Sequence, residues 1–249
     1  MEACLACAQE GRLGVSPVND MDNVDYDSLK EELSLAAMLS LEDPERGIRI
    51  MLVLTKAFKG VGYQIPVLVG GAAVEYYTHG WYTSGDIDAL LNSAHPKVTQ
   101  VMEGLGFVRK GKDWMHSALP DLYVEFPGVL GDPLWNLDPD EIEIDGHRVR
   151  IISLEGLILD KVGSYLIGSM IDGVNVLALL NAGAGQLDWE FIEDHSRAEG
   201  SWEALQRLKE VATSIDWDDP PPRAELEELL ERLKLGGGGD TIGYDVSGG

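Results

Sequence analysis

Two aspartates and a glutamate hold most of the chemistry that this sequence can offer. Asp86 and Asp88 stand two apart in Thr83-Ser84-Gly85-Asp86-Ile87-Asp88, and Glu125 follows in Leu122-Tyr123-Val124-Glu125-Phe126. Side chains alternate between the faces of a strand, so on a strand Asp86 and Asp88 point the same way. Asp121, Tyr123 and Glu125 alternate with Leu122, Val124 and Phe126, which describes a strand with one apolar face and one face carrying Glu125. Placed beside the Asp86 strand, Glu125 completes a set of three carboxylates. Hard cations such as Mg²⁺ take oxygen ligands and bridge to substrate phosphates, and such a set suits two metals and an in-line phosphoryl displacement. Upstream, Val67-Leu68-Val69 runs into Gly70-Gly71 and then Ala72-Ala73-Val74. A glycine turn from strand to helix lets a phosphate approach backbone N–H groups at the helix N-terminus. Alone, a Gly-Gly pair is a turn and an Asp-x-Asp pair in an acidic chain is solvated surface. In this order and strand context they specify more.

These residues need a scaffold to bring them together. Residues 1–26 read as a loose arm with glycines, Pro17 and an acidic run. From 27 to 60 the apolar spacing predicts helices, with Leu29, Leu33, Leu35, Ala36 and Leu39 on one face and a break at Pro44. Strands are predicted over 65–69, 86–91, 107–110 and 122–126, with helices over 72–79 and 95–105. Asp145-Gly146 between 141–145 and 147–152 predicts a hairpin. After Ser153 the pattern is helical over 154–166, 171–180, 189–198, 202–215 and 224–235, followed by a Gly-rich tail over 236–249. The domain plan is therefore an arm over 1–26, a mixed core over 27–152, a helical part over 153–235 and the tail.

The words Leu-Val-Gly-Gly-Ala-Ala-Val, Thr-Ser-Gly-Asp-Ile-Asp and Leu-Tyr-Val-Glu-Phe resemble the nucleotidyltransferase superfamily of the DNA polymerase β type, most of all its small bacterial and archaeal members, toxin-type ones included. The resemblance covers about residues 45–200. It implies an α/β fold: a nucleotidyltransferase-type mixed sheet with flanking helices and a C-terminal helical part. It further implies that Asp86, Asp88 and Glu125 are both metal ligands and catalytic residues, with Glu125 on the base side. Gly70 and Gly71 would face the nucleotide phosphates, and Lys161 in Leu157-Ile158-Leu159-Asp160-Lys161 would reach the triphosphate. The implied reaction moves an NMP from an NTP, with Mg²⁺, to a hydroxyl on a small molecule, a tRNA end or a protein. An antitoxin is the partner implied for a toxin-type member.

Three positions depart from the family pattern. Tyr82 stands where many members carry Arg. Asp172 and Asn175 stand where toxin-type members show two aspartates, and Gly71 stands where polymerase-like members have Ser. The first two favour a contrasting class, a binding or regulatory protein that keeps the fold without turnover. Lys161 also has an ordinary reading, as a lysine snorkelling at a helix edge. Arg109, Lys110 and Lys112 are the one dense basic cluster and read as a surface hairpin rather than a substrate contact.

Bulk properties narrow the class. The chain has 249 residues, 19 Lys+Arg against 43 Asp+Glu, and a net charge of −24. That charge repels nucleic acid and acidic membranes at long range, which disfavours an RNA acceptor and leaves solubility, or a high-salt interior, as its ordinary meaning. No stretch approaches the ~20 apolar residues of a membrane span, and MEACLACAQEGR lacks the pattern of a secretory leader, so a cytoplasmic address is expected. Two cysteines cannot build a disulfide scaffold. Cys4 and Cys7 have the spacing of half a zinc site without a second half. No Gly-x-Ser-x-Gly or Gly-Lys-Ser/Thr element points to a serine hydrolase or a P-loop enzyme.

Overall fold

The computed structural model describes residues 24–128 and 138–235. Cys4, Cys7 and the Gly-rich tail lie outside the described residues, as does nearly all of the predicted arm. Two helices open the fold, α1 (Tyr26–Ala37) and α2 (Glu45–Gly60), followed by β1 (Val67–Val69), α3 (Gly70–Tyr77), β2 (Asp86–Leu90), α4 (Pro96–Gly104), β3 (Phe107–Lys110), β4 (Asp113–His116), β5 (Leu119–Glu125), β6 (Asp140–Ile144) and β7 (His147–Ile151). The helical part comprises α5 (Leu154–Leu166), α6 (Met170–Ala182), α7 (Trp189–Ala198), α8 (Trp202–Ser214) and α9 (Arg223–Leu235).

The strands form one mixed sheet in the order β3-β4-β5-β2-β1-β7-β6. The pairs β1–β7 and β2–β5 are parallel and the other pairs are antiparallel. This is the α/β architecture expected: a mixed sheet, flanking helices and a helical C-terminal part. One face of the central strands is apolar. Ile87, Val124 and Trp114 lie side by side in register and are all buried. A Cβ added at Gly47 of α2 would stand 3.7 Å from Ile87 Cδ1, so α2 covers this face. The helical part reaches the sheet through α3, against which α5 and α6 pack. Helix α6 is buried along most of its length, from Val174 to Leu180, and α8 and α9 close over it.

Local signals explain most element ends. Asp25 accepts from Ser28 N at the start of α1, and Ser153 accepts from Gly156 N at the start of α5. Asp145 and Gly146 both have positive φ, 51° and 73°, which the two-residue hairpin between β6 and β7 requires. Four expectations need correction. The arm does not reach residue 26: Val24 packs against the core and Tyr26 is already in α1. Leu35 does not share the buried face of α1. It stands 68% exposed because it lies two residues from Leu33, about 200° round the helix. Strand β4 was not anticipated, having only four residues and a single buried one, Trp114. Finally, α3 starts at Gly70 rather than Ala72, so both glycines lie in its first turn.

Candidate functional site

The site is set by register. Strand β2 lies between β1 and β5, with Asp88 opposite both Val69 and Glu125, and Asp86 opposite Tyr123. Paired positions share a face, so Asp86, Asp88 and Glu125 lie on the side of the sheet away from Ile87 and Val124. Asp86 is exposed, whereas Asp88 is partly buried. Burial, then the neighbouring charges of Glu125 and Asp86, push the Asp88 carboxyl up to about 6, with Lys161 and Lys112 working in the opposite direction. These four groups are therefore within electrostatic reach of Asp88.

Gly70 is required by its neighbour. Its φ of +67° lies in the left-handed region, and a Cβ there would overlap the Asp88 carboxylate. The first turn of α3 thus stands against Asp88. Helix α3 has Val69 at its N-cap and no side-chain cap, so its leading N–H groups are open to an anion. A Cβ at Gly71 would lie 2.6 Å from Ser84 Oγ, so Ser84 occupies the space a side chain at 71 would take. Ser84 Oγ donates to the Asp86 carbonyl at 3.1 Å, and Ser84 N donates to Glu75 Oε2 at 3.3 Å. Through these two bonds Ser84 ties the segment that delivers Asp86 to the underside of α3.

That underside carries two buried charged residues of opposite sign that make no ion pair with each other. Glu75 and Arg46 are each 3% exposed, and Glu75 Oε1 and Arg46 Nε have no hydrogen-bond partner. Burial raises the Glu75 carboxyl, against the Ser84 N–H and the Arg46 charge. Burial lowers the Arg46 guanidinium, against Glu75 and Asp121. Sequence reading missed Arg46, Glu75 and Ser84, because nothing in their local pattern separates them from surface polar residues.

Lys161 lies on α5 with a side chain 12% exposed, and its Nζ is 3.3 Å from both Asp160 Oδ2 and Asp172 Oδ1. Burial opposes its charge, but Asp160 and Asp172 outweigh burial and raise its pKa. It is not a solvent-exposed snorkel. It is a held cation whose field reaches Asp88. Asn175 is 2% exposed, and its Nδ2 stands 3.5 Å from Asp172 Oδ1. The ring of Tyr82 lies under the Arg223 guanidinium of α9, 5.2 Å from the ring centroid.

Arg109, Lys110 and Lys112 do lie on a surface hairpin, the one joining β3 to β4, and the Lys112 side chain is 73% exposed. The β3–β4 turn holds it beside the carboxylate row, where Nζ donates to Glu125 Oε2 at 2.6 Å. The same turn places Arg109 near Trp114, with its guanidinium 5.9 Å from the ring centroid. No three His, Cys, Asp or Glu side chains among the described residues converge into a metal-binding cluster. Backbone register therefore aligns Asp86, Asp88 and Glu125, but their side chains are not gathered to a point. Like charges repel, and Glu125 is drawn to Lys112. The donor chemistry still suits a hard divalent cation, because all three donors are carboxylates, and the Lys112 ammonium stands as counter-ion on Glu125.

No protein-family profile matches the sequence, and no curated protein matches it. Among solved structures, the chain is similar to the crystal structure of an antigenic nucleotidyltransferase-like protein from Paracoccidioides brasiliensis. The identity is 13%, the TM-score 0.42, and the match covers 74% of this chain and 94% of that one. No helix among the described residues is long and apolar enough to cross a membrane.

Proposed function

We propose that the Asp86–Asp88–Glu125 row is the metal site of a nucleotidyltransferase that moves an NMP from an NTP to a hydroxyl acceptor. One observation carries this reading. Asp88 stands directly between Glu125 on β5 and the Val69–Gly70 turn that opens α3. That arrangement supports the reading, because carboxylates of the type Mg²⁺ takes stand beside the uncapped first turn of a helix. Asp86, Asp88 and Glu125 would hold Mg²⁺, which when bound supplies positive charge to the phosphate oxygens. The N–H groups at Gly70 and Gly71 would donate to the phosphate oxygens at the head of α3. Lys161, kept charged by Asp160 and Asp172, offsets the charge that gathers at the site. The acceptor oxygen forms a bond to the α-phosphorus, the bond from that phosphorus to the bridging oxygen breaks, and pyrophosphate leaves. The acceptor proton passes to Glu125 or to water. The net charge of −24 favours a small or protein acceptor over RNA.

A titration of the non-hydrolysable analogue α,β-methylene-ATP into wild type and Asp88→Asn, with and without MgCl₂, tests the reading. Wild type should bind in a Mg²⁺-dependent way, and the variant should lose at least ten-fold in affinity. Equal affinities would remove Asp88 from the site. Binding joined to a complete lack of label transfer from α-labelled NTPs, across small-molecule and protein acceptors, would instead favour the binding-protein class.

A further inference from the structure

Resting on that reading, we infer that Lys112 is an exchangeable counter-ion: it neutralises Glu125 in the metal-free site and passes to the nucleotide's phosphates when a divalent cation takes the carboxylate. The two partners are unequal. The Glu125 side chain is 21% exposed and fixed in the central sheet, opposite Asp88. The Lys112 side chain is 73% exposed and belongs to the two-residue turn between Lys110 and Asp113. The backbone of that turn is pinned: Gly111 has φ +69°, and its carbonyl accepts from Arg109 Nε at 3.2 Å. The flexible lysine stem is free to swing from a fixed base. An ammonium 2.6 Å from Glu125 Oε2 occupies a coordination position on that oxygen. It competes with any cation that needs that oxygen. Once displaced, it remains a point charge within reach of an anion brought by that cation. In a chain of net charge −24, a lysine at the rim of the carboxylate row is the economical way to hold the empty site together and still attract a polyphosphate.

Mn²⁺ alone serves as the first probe, followed by its electron-spin signal on wild type, Lys112→Ala, Lys112→Arg and Asp88→Asn. α,β-Methylene-ATP is then added to each Mn²⁺-loaded protein. Lys112→Ala should bind Mn²⁺ alone about three- to five-fold tighter, the effect of removing one partly exposed ion pair. The same variant should bind the Mn²⁺–nucleotide complex several-fold more weakly, and the opposite signs are the signature of exchange. Lys112→Arg should restore both affinities toward wild type. The gain in Mn²⁺ affinity should shrink at high salt. Unchanged Mn²⁺ affinity in Lys112→Ala, or a shift of both affinities in one direction, overturns the exchange, as does a lack of Mn²⁺ binding by wild type and Lys112→Ala alike. Asp88→Asn separates the two ideas. If it binds Mn²⁺ as wild type does, the nucleotidyl-transfer reading falls. If it loses Mn²⁺ while Lys112→Ala is unchanged, that reading stands and the exchange falls.

Discussion

Replacing Asp88 by Asn should make the metal-free protein more stable at neutral pH, although it removes a residue central to the site. Asp88 lies partly buried between Glu125 and the first turn of α3, and these surroundings raise its carboxyl from 3.8 to about 6. A raised folded-state value means that the native protein binds this proton more tightly than the unfolded chain does. The sign follows. Below about 4 the group is protonated in both states and contributes nothing. Between about 4 and 6 the unfolded chain has released this proton while the folded state still holds it, so stability falls across that interval and levels off above 6. A rise from 3.8 to about 6 corresponds to a loss of about 3 kcal/mol at pH 7 and above. Asparagine keeps the shape and removes the charge, but its amide must still be desolvated, so a gain of about 1–3 kcal/mol is expected. For a domain of this size that is roughly 3–10 °C in Tm. Thermal or urea unfolding in EDTA at pH 7.5, 6 and 4 measures it. The gain should be full at pH 7.5 and close to nil at pH 4. Added Mg²⁺ should then stabilise wild type and leave the variant nearly unmoved. A variant less stable than wild type at pH 7.5 in EDTA, or a difference that does not change with pH, would refute the claim that charge repulsion at Asp88 opposes folding.

Gly70→Ala combines a left-handed backbone with a Cβ driven into the Asp88 carboxylate, so it should cost about 1–3 kcal/mol in urea unfolding and abolish Mg²⁺-dependent nucleotide binding. Glu75→Ala removes one of the two carboxylates whose charge favours the buried Arg46 guanidinium and leaves Ser84 N without its acceptor, and a loss of about 1–3 kcal/mol in urea unfolding is expected. Glu75→Gln keeps an acceptor for Ser84 and should keep the Asp86 segment ordered, as amide exchange at residues 83–86 would report. Lys161→Met removes the cation that separates Asp160 from Asp172. It should weaken nucleotide affinity by an order of magnitude or more while leaving affinity for Mg²⁺ alone equal or slightly higher, read by parallel titrations.

Periods and caps are local signals, which is why so much of the fold was legible along the chain. Alternation from Asp121 to Phe126 placed Glu125 on the polar face of β5, and the two-residue spacing put Asp86 and Asp88 together on β2. Ser153 marked the start of α5, and Asp145-Gly146 marked the hairpin turn. The neighbourhood of β2 and β5 stayed an assumption until the sheet order appeared, because 28 residues and two other strands separate them in the chain.

What the chain dictates unaided is which residues face one way on each element. Their types and spacing state that directly, through the geometry of a strand or a helical turn. Tertiary structure alone decided what those faces meet. Asp88 opposes Glu125 only because β2 and β5 pair in parallel at that register. Lys112 reaches Glu125 only because the short, weakly patterned β4 brings Asp113 opposite Glu125. Arg46 and Glu75 share a buried space because α2 packs on α3, and Lys161 is a held cation because α6 delivers Asp172 to α5. Each of these depends on free energy summed over distant burial, and no window of neighbouring residues contains it.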